Sequence, residues 1–225
     1  MCSPGDASPS ASALVTPVEW TMTGRPYPAA AARVARLKET VQVVTRLLSG
    51  EVVTFHGSQV HTDDAFLLAP RSTRPIPLLI GGNGRRLFRL AARHADIVSM
   101  TGLGRTLEDG HHHTAEWSTS AIDERVALVQ EYRSRPDPIV FDALVQHVEI
   151  TDHAAEAAQR VAQSAPGLTA ADVLASPFAL IGTTDGLVEE LLVHQERWGF
   201  TSYVIREPAI AAAAALIEQL AQRGA

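Results

Sequence analysis

The first clear pattern along the chain is helical. From Pro28 to Gly50, apolar residues recur at steps of three and four, with charged residues between them, which predicts an amphipathic helix. Its apolar positions are Val34, Leu37, Val41, Val44, Leu47 and Leu48. Pro28 suits the first turn of such a helix, and Gly50 ends it. Residues 52–61 follow with a central glycine and predict a short hairpin or irregular excursion.

Four later apolar runs predict β-strands. They are Leu78–Ile80, Asp96–Met100, Ile139–Ile150 and Thr201–Ile205. Helical patterns separate them, and parallel strands need such crossovers, so the fold class is α/β, with four parallel strands in this order and right-handed crossovers. A complete eightfold barrel takes about 250 residues and eight strand-helix units. The sequence provides four units, which predicts an incomplete barrel.

Local signals fill in the connections between these strands. Residues 101–120 are mostly polar and predict a long loop. Asp152 and Thr169 are side chains of the kind that cap helix N-termini, and each precedes a helical pattern. A further amphipathic helix is predicted from Asp185 to Trp198, and Gly199 ends it.

Composition narrows the function classes. The 225 residues carry 19 basic and 25 acidic side chains, a net charge of −6, and 46% are hydrophobic. This is a globular composition without the dense basic stripe of a nucleic-acid surface. The single cysteine, Cys2, excludes an intrachain disulfide framework and a multi-cysteine metal site. No stretch is apolar enough to span a membrane, and no secretory signal is evident, so we expect a cytoplasmic protein. Residues 1–22 are of low complexity and predict a disordered tail.

The segment Gly81-Gly82-Asn83-Gly84 lies between a predicted strand and a predicted helix. Backbone N–H groups of such a turn and of the first helical turn converge and can bind a phosphate, and glycines allow close approach. Taken alone, a glycine turn favours the simpler interpretation of a purely structural tight turn. A dinucleotide-binding fingerprint is disfavoured because its third glycine would fall at Leu87.

The run Pro77–Met100 resembles the luciferase-like family of flavin- and deazaflavin-dependent oxidoreductases. Other segments are similar to this family and follow its order from Gly24 to Glu207. These are Gly24–Pro28 with Arg33–Leu37, Glu149–Asp152, Ala175–Phe178, Ile181–Thr183 and Trp198–Phe200 with Tyr203-Val204. The similarity is greatest to the actinobacterial branch that uses the deazaflavin coenzyme F420.

This resemblance implies a barrel of the TIM type, of which residues 23–225 correspond to the C-terminal half. The implied activity is hydride transfer between F420, or reduced flavin, and a small organic substrate. The implied cofactor contacts are Gly81, Gly82, Asn83, Gly84, Arg85, Arg86 and Thr101. Arg206, after the last strand, is placed to hold a substrate anion. The family's first four units have no counterpart before Gly24, so no catalytic residue is carried over.

Two alternative functions follow from the lack of a counterpart to the family's first four units. One is a catalytically inactive half-barrel that serves as a cofactor-binding or assembly module, and the other is an FMN-dependent monooxygenase. A half-barrel exposes two sheet edges and an inner face, so we expect a second copy of the chain, or a complementing partner chain, to cover them.

For the remaining polar candidates, structural roles are favoured over chemical ones. Consecutive histidines at 111–113 cannot converge on one metal ion, so a solvated loop is favoured there and no metal is predicted. His94, at a helix end, and His147, in the third strand, are interpreted as surface or packing residues. Ser99, Met100 and Gly102 flank Thr101 after a strand, where cofactor or substrate contacts would lie.

Overall fold

A computed structural model describes residues 26–68, 74–106 and 113–223, together with Met22 and Gly24. The tail predicted for residues 1–22 lies outside these residues except for Met22, and so do His111 and His112. The helices are α1 (Ala30–Leu48), α2 (Arg85–His94), α3 (Thr119–Tyr132), α4 (Ala154–Ala162), α5 (Ala170–Ala175), α6 (Thr184–Trp198) and α7 (Ile210–Arg223), with a 3-10 turn at Glu207–Ala209. The strands are β1 (Val53–His56), β2 (His61–Ala65), β3 (Leu79–Gly82), β4 (Ile97–Met100), β5 (Leu103–Thr106), β6 (His113–Ala115), β7 (Val140–Leu144), β8 (His147–Ile150), β9 (Ala179–Gly182) and β10 (Phe200–Val204).

The central sheet confirms the predicted α/β topology. Its four strands lie in the order β10-β7-β4-β3, and every neighbouring pair is parallel. The strands therefore follow one another across the sheet in chain order, joined by crossovers that include α2, α3 and α6. This arrangement places the C-terminal ends of all four strands at one edge of the sheet.

The two faces of this sheet differ in burial. One face carries Ile80, Val98, Met100 and Phe141, which are fully buried in a core built with residues of α2, α3 and α6. The opposite face is more open at the strand ends, where Val140 is 37% exposed and Val204 is 43% exposed, although Ser99 and Asp142 at its middle are buried. Since the sheet is covered by helices on one side only among the described residues, the open side corresponds to the interior of a barrel.

The long third strand predicted for residues 139–150 is wrong. The chain forms β7, turns at Val145 and Gln146, and continues as β8, which pairs in parallel with β9 instead of with the central sheet. A twelve-residue strand beside the four-residue β4 would extend past its partner, and its backbone groups would lack ladder hydrogen bonds. The turn supplies them, since the N–H of Gln146 donates to the carbonyl of Phe178 at 2.7 Å.

Two smaller expectations are also corrected. The predicted polar loop of residues 101–120 contains the antiparallel hairpin β5-β6, whose cross-strand hydrogen bonds the polar composition did not reveal. Asp152 does not cap α4, because His153 occupies that position and its N–H donates to the Thr151 hydroxyl at 3.1 Å. Thr169 does cap α5, through a reciprocal capping box with Asp172. Gly199 ends α6 in the left-handed conformation, as predicted.

The hairpin β1-β2 is attached to α1 by one carboxylate. Glu39 accepts hydrogen bonds from the N–H groups of Ser58 (3.1 Å), Gln59 (2.7 Å) and Val60 (2.9 Å), and from the Ser58 hydroxyl (2.8 Å). Desolvation alone would raise the pKa of Glu39, but the hydrogen bonds from Gln59, Ser58 and Val60 outweigh it and lower the pKa to about 2. The ionised carboxylate therefore organises the turn.

Replacing Glu39 with Gln is expected to loosen this turn. A lowered pKa means that the carboxylate stabilises the folded turn above about pH 4.5, and that this contribution is lost as the pH falls towards 2. Amide hydrogen exchange of residues 53–65 should be faster in Glu39→Gln than in the wild type at pH 7, whereas the exposed control Glu124→Gln should leave it unchanged. Equal exchange in all three proteins would contradict this role.

Candidate cofactor and substrate site

The glycine turn has the backbone geometry of an anion site. Gly82, the last residue of β3, has φ +139°, and Gly84, the N-cap of α2, has φ +103°, conformations that favour glycine. The first hydrogen bond of α2 runs from the N–H of Phe88 to the carbonyl of Gly84 at 3.1 Å. The N–H groups of residues 85–87 therefore have no partner within the helix, and the space where a Gly84 side chain would begin is open.

Asn83 links this turn to the next strand end. Its Nδ2 donates to the hydroxyl of Thr101 at 2.7 Å, so the structure brings together these two predicted contacts. The Oδ1 atom of Asn83 is buried and has no hydrogen-bond partner among the described residues. A buried polar atom without a partner is costly. An N–H or hydroxyl donor from a bound molecule would satisfy it.

Two arginines lie at the start of α2, beside the turn. Arg85 and Arg86 are both exposed, and neither makes an ion pair or side-chain hydrogen bond with another described residue. A guanidinium without a protein partner is available for a phosphate, which it can bind through two parallel hydrogen bonds. The turn, the helix N-terminus and these side chains form one concentration of positive potential.

Gln146 was not singled out from the sequence, although it lies in the same region. Its Nε2 donates to the backbone carbonyl of Thr101 at 2.9 Å and to that of Leu144 at 3.3 Å. The residue sits at the unpredicted turn between β7 and β8, so no periodic signal could identify it. Gln146 ties the end of β4 to the end of β7.

A polar layer on the open face of the sheet was also missed. The register aligns Gly81, Ser99, Asp142 and Ser202 across the four strands. Both serine hydroxyls donate to Asp142, that of Ser202 at 2.8 Å, and Asp142 is only 1% exposed. Side chains alternate between the two faces of a strand, but only the register shows that these four residues form one row across the sheet.

Arg206 lies apart from the glycine turn. It is exposed and follows β10, and β7 and β4 separate that strand from β3. Three strand spacings amount to roughly 14 Å. Arg206 can therefore reach a bound molecule only at a distance from the glycine turn. His147 contacts Glu149 at 3.2 Å, and burial lowers the pKa of His94, as do Lys38, Arg93 and Arg135.

The sequence profile of luciferase-like monooxygenases matches residues 15–164 of this chain. That match covers more than half of the chain and includes the glycine turn, the hairpin β5-β6 and the strand β7. The chain belongs to the luciferase-like monooxygenase family.

Among relatives of this luciferase-like protein is the F420-dependent glucose-6-phosphate dehydrogenase of Intrasporangium calvum, which is 35% identical over 115 residues, or 51% of this chain and 32% of that protein. The F420-dependent tetrahydromethanopterin reductase of Methanopyrus kandleri has a similar fold, with a TM-score of 0.57, 18% identity, and coverage of 85% of this chain and 66% of that one. The EDTA monooxygenase of Chelativorans sp. BNC1 superposes with a TM-score of 0.64 and 14% identity, over 94% of this chain and 64% of that one.

These matches describe an incomplete barrel. The chain covers about a third of the length of the curated dehydrogenase and about two thirds of the solved structures. None of the described helices combines the length and apolar character needed to cross a membrane. The described residues also contain no cluster of three or more His, Cys, Asp or Glu side chains that could hold a metal ion.

Proposed function

We propose that this luciferase-like chain binds F420 and acts as an oxidoreductase, which transfers hydride between the deazaflavin and a small organic substrate. The observation that carries the proposal is the buried Oδ1 of Asn83, which lacks a partner beside the open turn at Gly84 and the unpaired side chains of Arg85 and Arg86. These groups fit a phosphorylated cofactor. The similarity to F420-dependent enzymes supports the choice of F420, and a cytoplasmic location belongs to the same proposal.

In this proposal the residues of the turn have distinct roles. The N–H groups of residues 85–87 and the guanidinium of Arg85 or Arg86 hold the phosphate. Asn83 accepts a hydrogen bond from the adjacent part of the cofactor, and Thr101 keeps the Asn83 amide in position. The bound deazaflavin supplies the hydride-accepting or hydride-donating ring, while the protein orients it against the substrate.

FMN is the alternative cofactor, and an FMN-dependent monooxygenase is the corresponding alternative function. The similarity to a monooxygenase such as that of Chelativorans supports it. Both cofactors carry a phosphate, so the glycine turn fits either of them. An inactive module that only binds cofactor remains the alternative outside the enzymes, because the described residues include no assigned catalytic group.

Substitutions at the turn test the cofactor site. Gly82→Val places a branched side chain on a residue with φ +139° and blocks close approach of the phosphate, so severe loss of F420 affinity is expected. Arg85→Ala should cost about 1.5 to 3 kcal/mol of binding free energy, as expected for one charge-assisted hydrogen bond. Fluorescence titration with F420, and separately with FMN, measures both effects and identifies the preferred cofactor.

The matched control is Arg93→Ala, in the last turn of the same helix and away from the glycine turn. It should bind the cofactor like the wild type. Equal affinities of the wild type, Gly82→Val and Arg85→Ala would refute the site.

A further inference from the structure

A cavity of about 500 Å³ lies beyond the C-terminal ends of β4 and β7. The hairpin β5-β6 forms one wall, and β8, α4 and the segment after α4 form the other. Its volume is in the range of sites that enclose small organic molecules. None of the proposed phosphate contacts lines it, so it is separate from the cofactor's phosphate position.

Much of the cavity wall is apolar. Leu103 and Trp117 line it from the side of the hairpin, and Val161 and Leu168 line it from the side of α4. Trp117 belongs to the buried core, with its ring packed 6.0 Å from that of Phe178, so it is a fixed part of the wall. A ligand that fills this space gains free energy by burying apolar surface.

The charged groups of the wall are paired with one another. One carboxylate oxygen of Glu149 accepts a hydrogen bond from the Nη2 of Arg160 at 2.6 Å. The other oxygen lies 3.2 Å from the Nε2 of His147. Besides the two histidines His113 and His147, the ionisable residues of the lining are Arg160 and Glu149, and the charges of these two offset each other. A phosphate or carboxylate entering the cavity would lie beside the Glu149 carboxylate, whose repulsion offsets the attraction of Arg160 and disfavours anionic ligands.

An uncharged polar group remains available in the same wall. The Nε2 of Gln146 is held by the carbonyls of Thr101 and Leu144, and its amide oxygen has no donor among the described residues. That oxygen can accept a hydrogen bond from a hydroxyl.

The cavity is also connected to the cofactor site. The Nε2 of Gln146 donates to the backbone carbonyl of Thr101 at 2.9 Å. The hydroxyl of Thr101 in turn accepts a hydrogen bond from the Nδ2 of Asn83 at 2.7 Å. Two hydrogen bonds therefore link the cavity wall to the glycine turn. A molecule in the cavity would lie at the same rim of the sheet as a cofactor held by the turn.

We infer that this cavity binds an uncharged, largely apolar small molecule that carries a hydroxyl group, and that it excludes phosphorylated and carboxylated compounds. That this molecule is the substrate rests on the proposed function, whereas its binding does not. The inference separates this chain from a sugar-phosphate dehydrogenase, although one of its relatives is such an enzyme.

Ligand-observed NMR titration of the cofactor-free protein tests the inference with four probes: 2-heptanol, 2-heptanone, heptanoate and glucose 6-phosphate. The alcohol and the ketone should bind at least tenfold more tightly than the two anions.

Ala165→Trp fills the cavity, since Ala165 lines it, and should weaken the binding of 2-heptanol at least tenfold. The control Ala155→Trp, on the exposed side of α4, should change it less than twofold. Comparable affinity for the anions, or no effect of Ala165→Trp, would overturn the inference.

Glu149→Gln examines the charge argument directly. The substitution leaves Arg160 without its carboxylate partner, so the affinity for heptanoate should rise at least fivefold while that for 2-heptanol stays within twofold. An unchanged affinity for heptanoate would contradict the role of the pair. Titration of the same proteins with F420 separates the two proposals: alcohol binding without F420 binding would refute the proposed function alone, and F420 binding without alcohol binding would refute the cavity alone.

Discussion

The purified chain is expected to sediment as a dimer in which two four-stranded sheets close one barrel. Among the described residues, β3 and β10 each pair on one side only, and the face that carries Val140 and Val204 is partly exposed. A twofold axis parallel to the strands would bring β10 of each copy beside β3 of the other, with all eight strands parallel. Eight strands is the number that closes such a barrel, and closure removes both edges.

Val204→Lys tests this pairing, because it places a charge on the open face. Analytical ultracentrifugation should show a dimer for the wild type and a monomer or aggregate for Val204→Lys. Ile217→Lys is the matched control, since Ile217 is exposed on α7, and it should remain dimeric. A wild-type monomer at all concentrations, or a dimer that Val204→Lys leaves intact, would show that the open face is covered in another way.

The central sheet was predictable because each of its strands is short, apolar and followed by a helical pattern. The apolar run before Gly81 and that ending at Met100 read as strands from local sequence alone, and the parallel order followed from the crossovers between them. The strand β9 was missed although all four of its residues are buried. Its partner is β8, and that pairing depends on the turn at Gln146, which local sequence does not encode.

The candidate site likewise combines features that local sequence predicts with features that only the structure shows. The glycine turn and Thr101 could be identified because glycines between a strand and a helix, and polar residues at strand ends, are local signals. The contacts of Gln146 with Thr101 and of Asp142 with two serines required the strand register, since these residues lie about 40 to 60 positions apart. The candidate phosphate position is therefore predictable from local sequence, whereas the wall of the adjacent cavity is seen only in the structure.

A buried cluster behind the sheet leads to the second prediction. His194 in α6 lies between Glu190, whose Oε1 is 3.7 Å from its Nε2, and Tyr203, whose hydroxyl is 3.3 Å from its Nδ1. Burial lowers the pKa of His194 to about 4, against a smaller opposing effect of a hydrogen bond with the backbone of Ala175. Burial raises the pKa of Glu190 to about 8, and burial together with Glu190 raises that of Tyr203. All three groups are therefore neutral in the folded chain at pH 7.

Glu190→Gln is expected to stabilise the protein at pH 7. Glu190 is protonated in the folded state up to about pH 8 but ionises near pH 4.5 in the unfolded chain, so the wild type loses stability as the pH rises between these values. Gln has nearly the same shape as the protonated Glu190 side chain, but it does not ionise in the unfolded chain and so avoids this loss of stability. The gain in unfolding free energy should be near zero at pH 4.5 and up to about 3 kcal/mol at pH 7.

Urea unfolding at pH 4.5 and pH 7 measures this gain, at one fixed protein concentration because the stability of a dimer would depend on concentration. Glu189→Gln is the matched control, since Glu189 is exposed on the same helix, and it should change the unfolding free energy by less than about 0.5 kcal/mol at either pH. If Glu190 and His194 instead formed an ion pair in the folded chain, Glu190→Gln would leave a buried charge unpaired and destabilise the protein at pH 7. The sign of the change therefore distinguishes a neutral cluster from a buried ion pair.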